Sequence, residues 1–201
     1  MKRFTGSPAP HGYEGQALMA MPSLRDGPFA RSVVYMCAHR DDGAMGIVIS
    51  QRAEEIDFVR LLRQLDIISE AEAIRLPAEV HAVPILRGGP VDTGRGFVLH
   101  SPDYDAGSAT VRIDKHISLT ATLDILRAIA AGEGPKRAVL ALGCAGWASG
   151  QLESEILDNA WLVGPVPPDL VFSGEFGRKY DRALAGLGVS AAMLSPEAGH
   201  A

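Results

Sequence analysis

The sequence predicts one mixed α/β domain of the α+β kind, with helices around a sheet partly joined by hairpins. Three observations point there. Short β-branched or aromatic runs are bounded by Gly, Pro and Asp turn signals. Apolar residues recur at helical spacing between those runs. About seven strand-like and four or five helical segments intermix along 201 residues, with no internal repeat and no long linker. Residues 1–12, rich in Gly and Pro, read as a mobile tail, and 13–201 as the domain.

Taken in order, Arg31–Ala38 is apolar on both faces and predicts a central strand. The Asp42-Gly43 pair then favours a tight turn, and Met45–Ser50 returns as the second arm of a hairpin. Phe58, Leu61, Leu62 and Leu65 mark one helical face. Ser69 with Glu72 has the spacing of a capping box and predicts a short second helix. Val83–Leu86, Gly96–His100 and Ala109–Ile113 read as strands. Thr120–Ala131 carries Leu123, Leu126, Ile129 and Ala130 on one face, with Gly132 as its stop. Ala138–Leu142 is a short apolar strand, and Gly143–Gly150 reads as a glycine-rich turn into a helix near Gln151. Glu153 and Glu155 suit the positive end of that helix. Short strands near Trp161–Val163 and Leu170–Phe172 precede a last helix around Phe176–Leu187.

Composition narrows the function classes. The chain is 47% apolar and 21% charged, which excludes wholesale disorder. Its 19 basic and 24 acidic residues give a net charge of −5, and the Lys and Arg are scattered. That argues against direct nucleic-acid binding and against a surface for anionic membrane. Two cysteines make no disulfide framework and fit a reducing compartment. Neither a secretory signal nor a run of about 18 apolar residues is visible, so the expected location is the cytoplasm.

Several chemistries lack their residues. No phosphate loop ending in Gly-Lys-Ser/Thr, no G-x-G-x-x-G after a strand, and no H-E-x-x-H, paired C-x-x-C or G-x-S-x-G occurs. No cofactor and no metal site is therefore expected. What remains is a set of partial signals. On a regular strand Cys37 and His39 share a face, with Arg31 on it too, an arrangement that would favour a thiolate nucleophile or redox sensor. His100 is the one obvious third candidate. The plainer reading makes Cys37 a small buried hydrophobe and His39 a turn opener. Gly88-Gly89-Pro90 and the turn holding Gly146, Trp147 and Gly150 could let backbone N–H groups approach a ligand, with Arg95 as the more plausible anion contact. Equally, these glycines serve tight turns and Trp147 anchors the core.

Four stretches are too unusual for generic packing: Ala20–Leu24 (AMPSL), Phe29–Gly46 (FARSVVYMCAHRDDGAMG), Gly88–Val91 with Arg95–Ser101 (GGPV, RGFVLHS), and Ala141–Glu155 (ALGCAGWASGQLESE). Their order, with Asn159–Leu162 and the ending Gly199-His200-Ala201, closely resembles the AlgH/YqgE family of bacterial cytosolic proteins over roughly residues 15–201. The resemblance implies one compact α/β domain and a regulatory role in gene expression, without naming a reaction. Two departures stand out: Ser50-Gln51-Arg52 replaces the usual Asn-Arg-Pro, and Cys144 replaces the usual Tyr.

Three functions follow as expectations. The first is a regulatory or binding protein without catalysis, acting on a protein or small-ligand partner. A thiol-dependent enzyme or redox sensor on Cys37 with His39 is the second. Direct transcription-factor activity is the weakest, because no helix-turn-helix with a basic recognition helix is apparent.

Overall fold

A computed structural model describes residues 12–194; apart from Gly12, the proposed tail and the Gly199-His200-Ala201 ending lie outside the described residues. The described strands are β1 (Ala17–Ala20), β2 (Val33–Arg40), β3 (Gly43–Val48), β4 (Ile85–Arg87), β5 (Val91–His100), β6 (Thr110–Arg112), β7 (Ser118–Thr120), β8 (Ala138–Ala148) and β9 (Trp161–Gly164). The described α-helices are α1 (Phe58–Gln64), α2 (Glu70–Ala73), α3 (Ala78–His81), α4 (Leu123–Ala130), α5 (Gln151–Leu157), α6 (Pro168–Phe172) and α7 (Phe176–Gly186).

One mixed sheet runs β6-β7-β5-β8-β3-β2-β1-β9 with every neighbour antiparallel, while β4 lies parallel to β8. The long strand β8 makes this possible. Its first half pairs with β5 and β4, its second half with β3. The sheet curls around a central core in which Tyr35, Cys37 and Ile47 meet Phe97, Leu99 and Cys144, closed by Leu170, Tyr180 and Leu184 from α6 and α7. Its outer face carries two satellites. Around β4, β5 and the start of β8, α1, α3 and α4 bury Phe58, Leu62, Val80 and Ile125. Around β1 to β3 and the end of β8, α5 buries Leu152 against Trp147 and Trp161. Each strand thus feeds two cores by alternation, as the period of two requires.

The expected hairpin forms, with Arg40 paired to Gly43 across the Asp-Gly turn. The capping box forms as well: Ser69 Oγ accepts from the Glu72 N–H, and the Glu72 carboxylate accepts from the Ser69 N–H at 2.7 Å.

Four expectations change. The helix expected over Thr120–Ala131 begins only at Leu123, because Thr120 is held in β7 opposite Val98 and Thr110, and it buries Ile125 with Leu126 and Ile129 while Leu123 is exposed. Leu170–Phe172 is the end of helix α6, because Pro167 and Pro168 preset helical entry and a three-residue apolar run carries no period of its own. The stretch from Gly143 is no turn: β8 continues through it to Ala148, and only Ser149 and Gly150 turn the chain into α5. Arg31 precedes β2 rather than lying on it, in the left-handed region at φ 50°.

Two irregularities decide which side chains meet. At Cys37 the register slips: Met36 pairs with Gly46 and Ala38 with Met45, so Cys37 is an extra residue bulged from β2. At Gly143, φ 75°, one residue of β8 stands opposite Asp92–Arg95 of β5, since Val91 pairs with Cys144 and Gly96 with Leu142. Each bulge flips the alternation beyond it. Leu140 faces the α4 side, whereas Ala145 and Trp147 face α5, and Cys144 points into the central core.

Candidate functional site

The bulge in β2 separates the two residues that a regular strand would unite. Cys37 follows Val33 and Tyr35 into the central core and is 5% exposed, its thiol donating weakly to the Tyr35 carbonyl at 3.5 Å. Burial, with a smaller contribution from nearby Cys144, pushes the Cys37 thiol well above its ordinary range. His39 pairs with Ala44 and turns to the opposite face, where Tyr13 stacks on its ring at 5.0 Å. Its Nδ1 accepts the Tyr13 backbone N–H at 3.2 Å, so Nε2 holds the proton and donates to Glu153 at 2.6 Å. The imidazole is fully employed in holding the Tyr13 segment to α5, and the thiol bonds only the Tyr35 carbonyl among the described residues.

The remaining catalytic candidates are also committed elsewhere. Arg31 pairs with Asp181 at 3.0 Å and lies 4.8 Å from the Tyr180 ring centre. His100 is fully buried in β5, where its Nδ1–H donates to the Ser101 carbonyl at 2.8 Å and its Nε2 accepts from the Thr120 hydroxyl at 2.9 Å. Thr120 accepts in turn from Thr110 at 2.8 Å. Burial holds the His100 pKa below its ordinary value, which keeps this chain neutral and structural.

Most glycine-turn candidates prove to be packing positions. A Cβ on Gly88 would lie 2.2 Å from the Gly143 carbonyl oxygen, and one on Gly89 2.3 Å from the Cys144 carbonyl carbon, so this arm presses its backbone on β8 and leaves no room for a ligand. Gly146 sits in the β8–β3 ladder opposite Met45. Gly150, φ 73°, makes the turn before α5. Trp147 and Trp161 form an edge-on pair with ring centres 5.9 Å apart, both joined by Phe29. Their indole N–H groups donate to one Glu155 oxygen at 2.9 and 2.7 Å, which explains that glutamate better than a dipole role.

Arg95 is the exception. The four-residue excursion of β5 carries Asp92 and Arg95 out over a pocket of about 360 Å³ between β5, the edge strand β6 and the start of α4. Its walls are mainly apolar, with Met45, Phe97, Val111, Leu119 and Ala121, and Cys144 and Thr122 also line it. The Arg95 guanidinium lies 5.1 Å from the Phe97 ring centre and has no carboxylate within ion-pair distance among the described residues. Cys144 is 6% exposed; burial first, then Asp92, raises its pKa, and Arg95 opposes them. Sequence reading missed Cys144 as part of a site, along with Asp92, Phe97 and Thr122. The one signal was the run Asp92-Thr93-Gly94-Arg95, too polar for the middle of a strand.

A larger cleft of about 700 Å³ lies between α3, the end of α4 and Phe172. Its guanidinium is already spent, since Arg137 pairs with Asp169 at 2.7 Å and covers the Phe172 ring at 4.5 Å. No set of three His, Cys, Asp or Glu side chains converges among the described residues. No described helix is long and apolar enough to cross a membrane.

The two thiols should therefore differ in access. We expect a small maleimide at pH 8.5 to label Cys144 at least about tenfold faster than Cys37, because labelling of Cys37 requires opening of the core. Peptide mapping after timed quenching checks this, and equal rates would mean that the pocket does not reach the Cys144 sulfur.

Comparison with known proteins agrees with the architecture. A family model described as AlgH-like (DUF179) matches residues 17–192. A UPF0301 protein of Afipia carboxidovorans is 60% identical over 188 residues, covering 94% of this chain and 90% of that one. One from Rhodopseudomonas palustris is 59% identical, covering 94% and 86%. The solution structure of the AlgH protein from Pseudomonas aeruginosa superposes with a TM-score of 0.75 at 37% identity, covering 100% of both chains. A crystal structure of protein DIP2367 from Corynebacterium diphtheriae, at 20% identity and TM-score 0.68, covers 97% and 94% and shares the fold. A family model that matches most of the chain and relatives at 60% and 59% identity together show that the chain belongs to the AlgH-like family.

Proposed function

We propose that the protein is a non-enzymatic regulatory binding protein, which influences gene expression by holding a ligand in the Arg95 pocket rather than by contacting DNA. The observation that carries this reading is the pocket itself. It is mainly apolar, within the size range of small-ligand sites, and carries a cation that no carboxylate of the described fold pairs with at ion-pair distance. Two facts support the absence of turnover. Cys37 and His39 lie on opposite faces of β2, and His100 spends both ring nitrogens on its own neighbours. The scattered basic residues and net charge of −5 support an indirect effect on transcription. A thiol mechanism on Cys37 has no comparable observation behind it.

The test is complementation of a deletion strain, read as recovery of the transcripts that the deletion changes. Ala121→Phe, which fills the pocket, is expected to abolish recovery while the purified variant unfolds cooperatively near the wild-type temperature. Cys37→Ala is expected to restore the transcripts. Full recovery by Ala121→Phe would sink the pocket reading; loss of recovery with a well-folded Cys37→Ala would revive the thiol.

A further inference from the structure

We propose that the Arg95 pocket takes a monocarboxylate carried on an apolar body; this assignment rests on the binding reading above. Four features set the chemistry. Met45, Phe97 and Leu119 offer apolar walls for a hydrocarbon or ring. The Phe97 ring covers one face of the Arg95 guanidinium, which leaves the N–H edge for a planar acceptor such as a carboxylate.

The third feature is a set of unspent donors at the same wall. Thr122 precedes α4 in extended conformation (φ −110°, ψ 157°), and its side chain does not cap the helix. The Thr122 hydroxyl, which lines the pocket, is therefore left free to donate to a ligand. Beside it Cys144 is buried to within 6% of full enclosure, lines the pocket and has no hydrogen-bond partner for its sulfur among the described residues.

The fourth feature is Asp92, which lines the same pocket as Arg95 and lies on the same arm. One carboxylate at the Arg95 edge leaves the mouth with a single net negative charge, whereas a second acid group or a phosphate dianion would meet Asp92 uncompensated. The site thus selects monoanions. Val111 in the lining is 50% exposed, and Val91 and Leu123, next in sequence to the lining residues Asp92 and Thr122, are 42% and 44% exposed, so apolar surface continues outward for a protruding tail.

The experiment titrates octanoate, octan-1-ol and octylamine into the full chain and follows backbone amide shifts. Octanoate is expected to move residues of β5, β6 and the start of α4 and to bind most tightly. Arg95→Gln is expected to weaken octanoate about tenfold and leave octanol unchanged. Asp92→Asn is expected to tighten octanoate a fewfold and to admit the dianion suberate, and octanoate should slow maleimide labelling of Cys144. If octanol matches octanoate and Arg95→Gln changes neither, the carboxylate assignment falls while an apolar binding site stands. Weaker octanoate binding by Asp92→Asn would also overturn it. If no probe binds, the assignment falls, and the Ala121→Phe complementation decides separately whether the binding reading falls too.

Discussion

Between pH 7 and 9 the wild-type protein is expected to gain about 2 kcal/mol of stability relative to Lys179→Met, the slope rising from about half its limit at pH 7 towards about 1.4 kcal/mol per pH unit above pH 8. Lys179 lies on the inner face of α7 with no exposed surface. Its Nζ donates to the Val171 carbonyl at the end of α6 at 2.8 Å and sits 4.7 Å from the Phe176 ring centre. No carboxylate pairs with it among the described residues, and Arg182 on the same helix adds repulsion. Burial, and secondarily Arg182, pulls its pKa from 10.5 down to about 7.

The sign follows directly. An unfolded chain keeps the proton up to about 10.5 and the native one releases it at about 7, so the unfolded state binds more protons between those values and stability rises with pH. Other groups contribute as well. The buried His100, its pKa lowered, acts in the same direction but below 6.5, and the raised Cys37 and Cys144 thiols lower stability as pH approaches and passes 9. Subtracting the Lys179→Met curve removes these contributions. Urea denaturation at half-unit pH steps measures the difference. At pH 9 the variant should be the less stable of the two, because the Val171 carbonyl loses its donor. Parallel curves would show that the ammonium keeps its charge in the native state.

What the sequence makes legible, and what it does not, divides along a physical line. Local chemistry is legible. The Asp42-Gly43 turn and the Ser69–Glu72 cap each depend on residues within a few positions of one another, and each forms as expected, whereas the stripe of α4 is only partly the expected one, with Leu126 and Ile129 buried but Ile125 in place of Leu123. Register is not. Nothing in Val-Val-Tyr-Met-Cys-Ala-His announces that Cys37 will bulge, because a bulge is fixed by the partner strand, here by the pairing of Gly46 and Met45 from β3. That one extra residue moves His39 to the far face and dissolves the thiol–imidazole pair. The same holds for β8. Gly143-Cys144-Ala145-Gly146 has turn composition, yet β3 and the Gly88–Val91 arm supply enough backbone partners to keep it extended. The residues that line the Arg95 pocket come from β3, β5, β6, β7, β8 and the start of α4, a convergence no local pattern encodes.

Replacing Gly88 by alanine is expected to cost about 4 kcal/mol or more, enough to leave much of the protein unfolded or insoluble. The new Cβ would stand 2.2 Å from the Gly143 carbonyl oxygen and 2.8 Å from the Ala141 Cβ, and a backbone carbonyl cannot swing aside as a side chain can. Retreat is closed as well. The Gly88 N–H donates to the Leu142 carbonyl and the Gly88 carbonyl accepts from the Val48 N–H, both at 2.8 Å, so withdrawing the arm breaks two buried hydrogen bonds on opposite sides. Gly94 provides the control. It lies on the same arm, yet nothing stands within 4 Å of its would-be Cβ, and Gly94→Ala is expected to stay within about 0.5 kcal/mol of wild type. Midpoints of urea denaturation for the pair make the comparison, and a Gly88→Ala midpoint equal to that of Gly94→Ala would refute the close approach. The contrast also bears on function. Gly88 anchors the base of the arm whose tip presents Asp92 and Arg95, so a loss of ligand binding in Gly88→Ala reports lost structure. The same loss in Arg95→Gln, at unchanged midpoint, reports lost recognition.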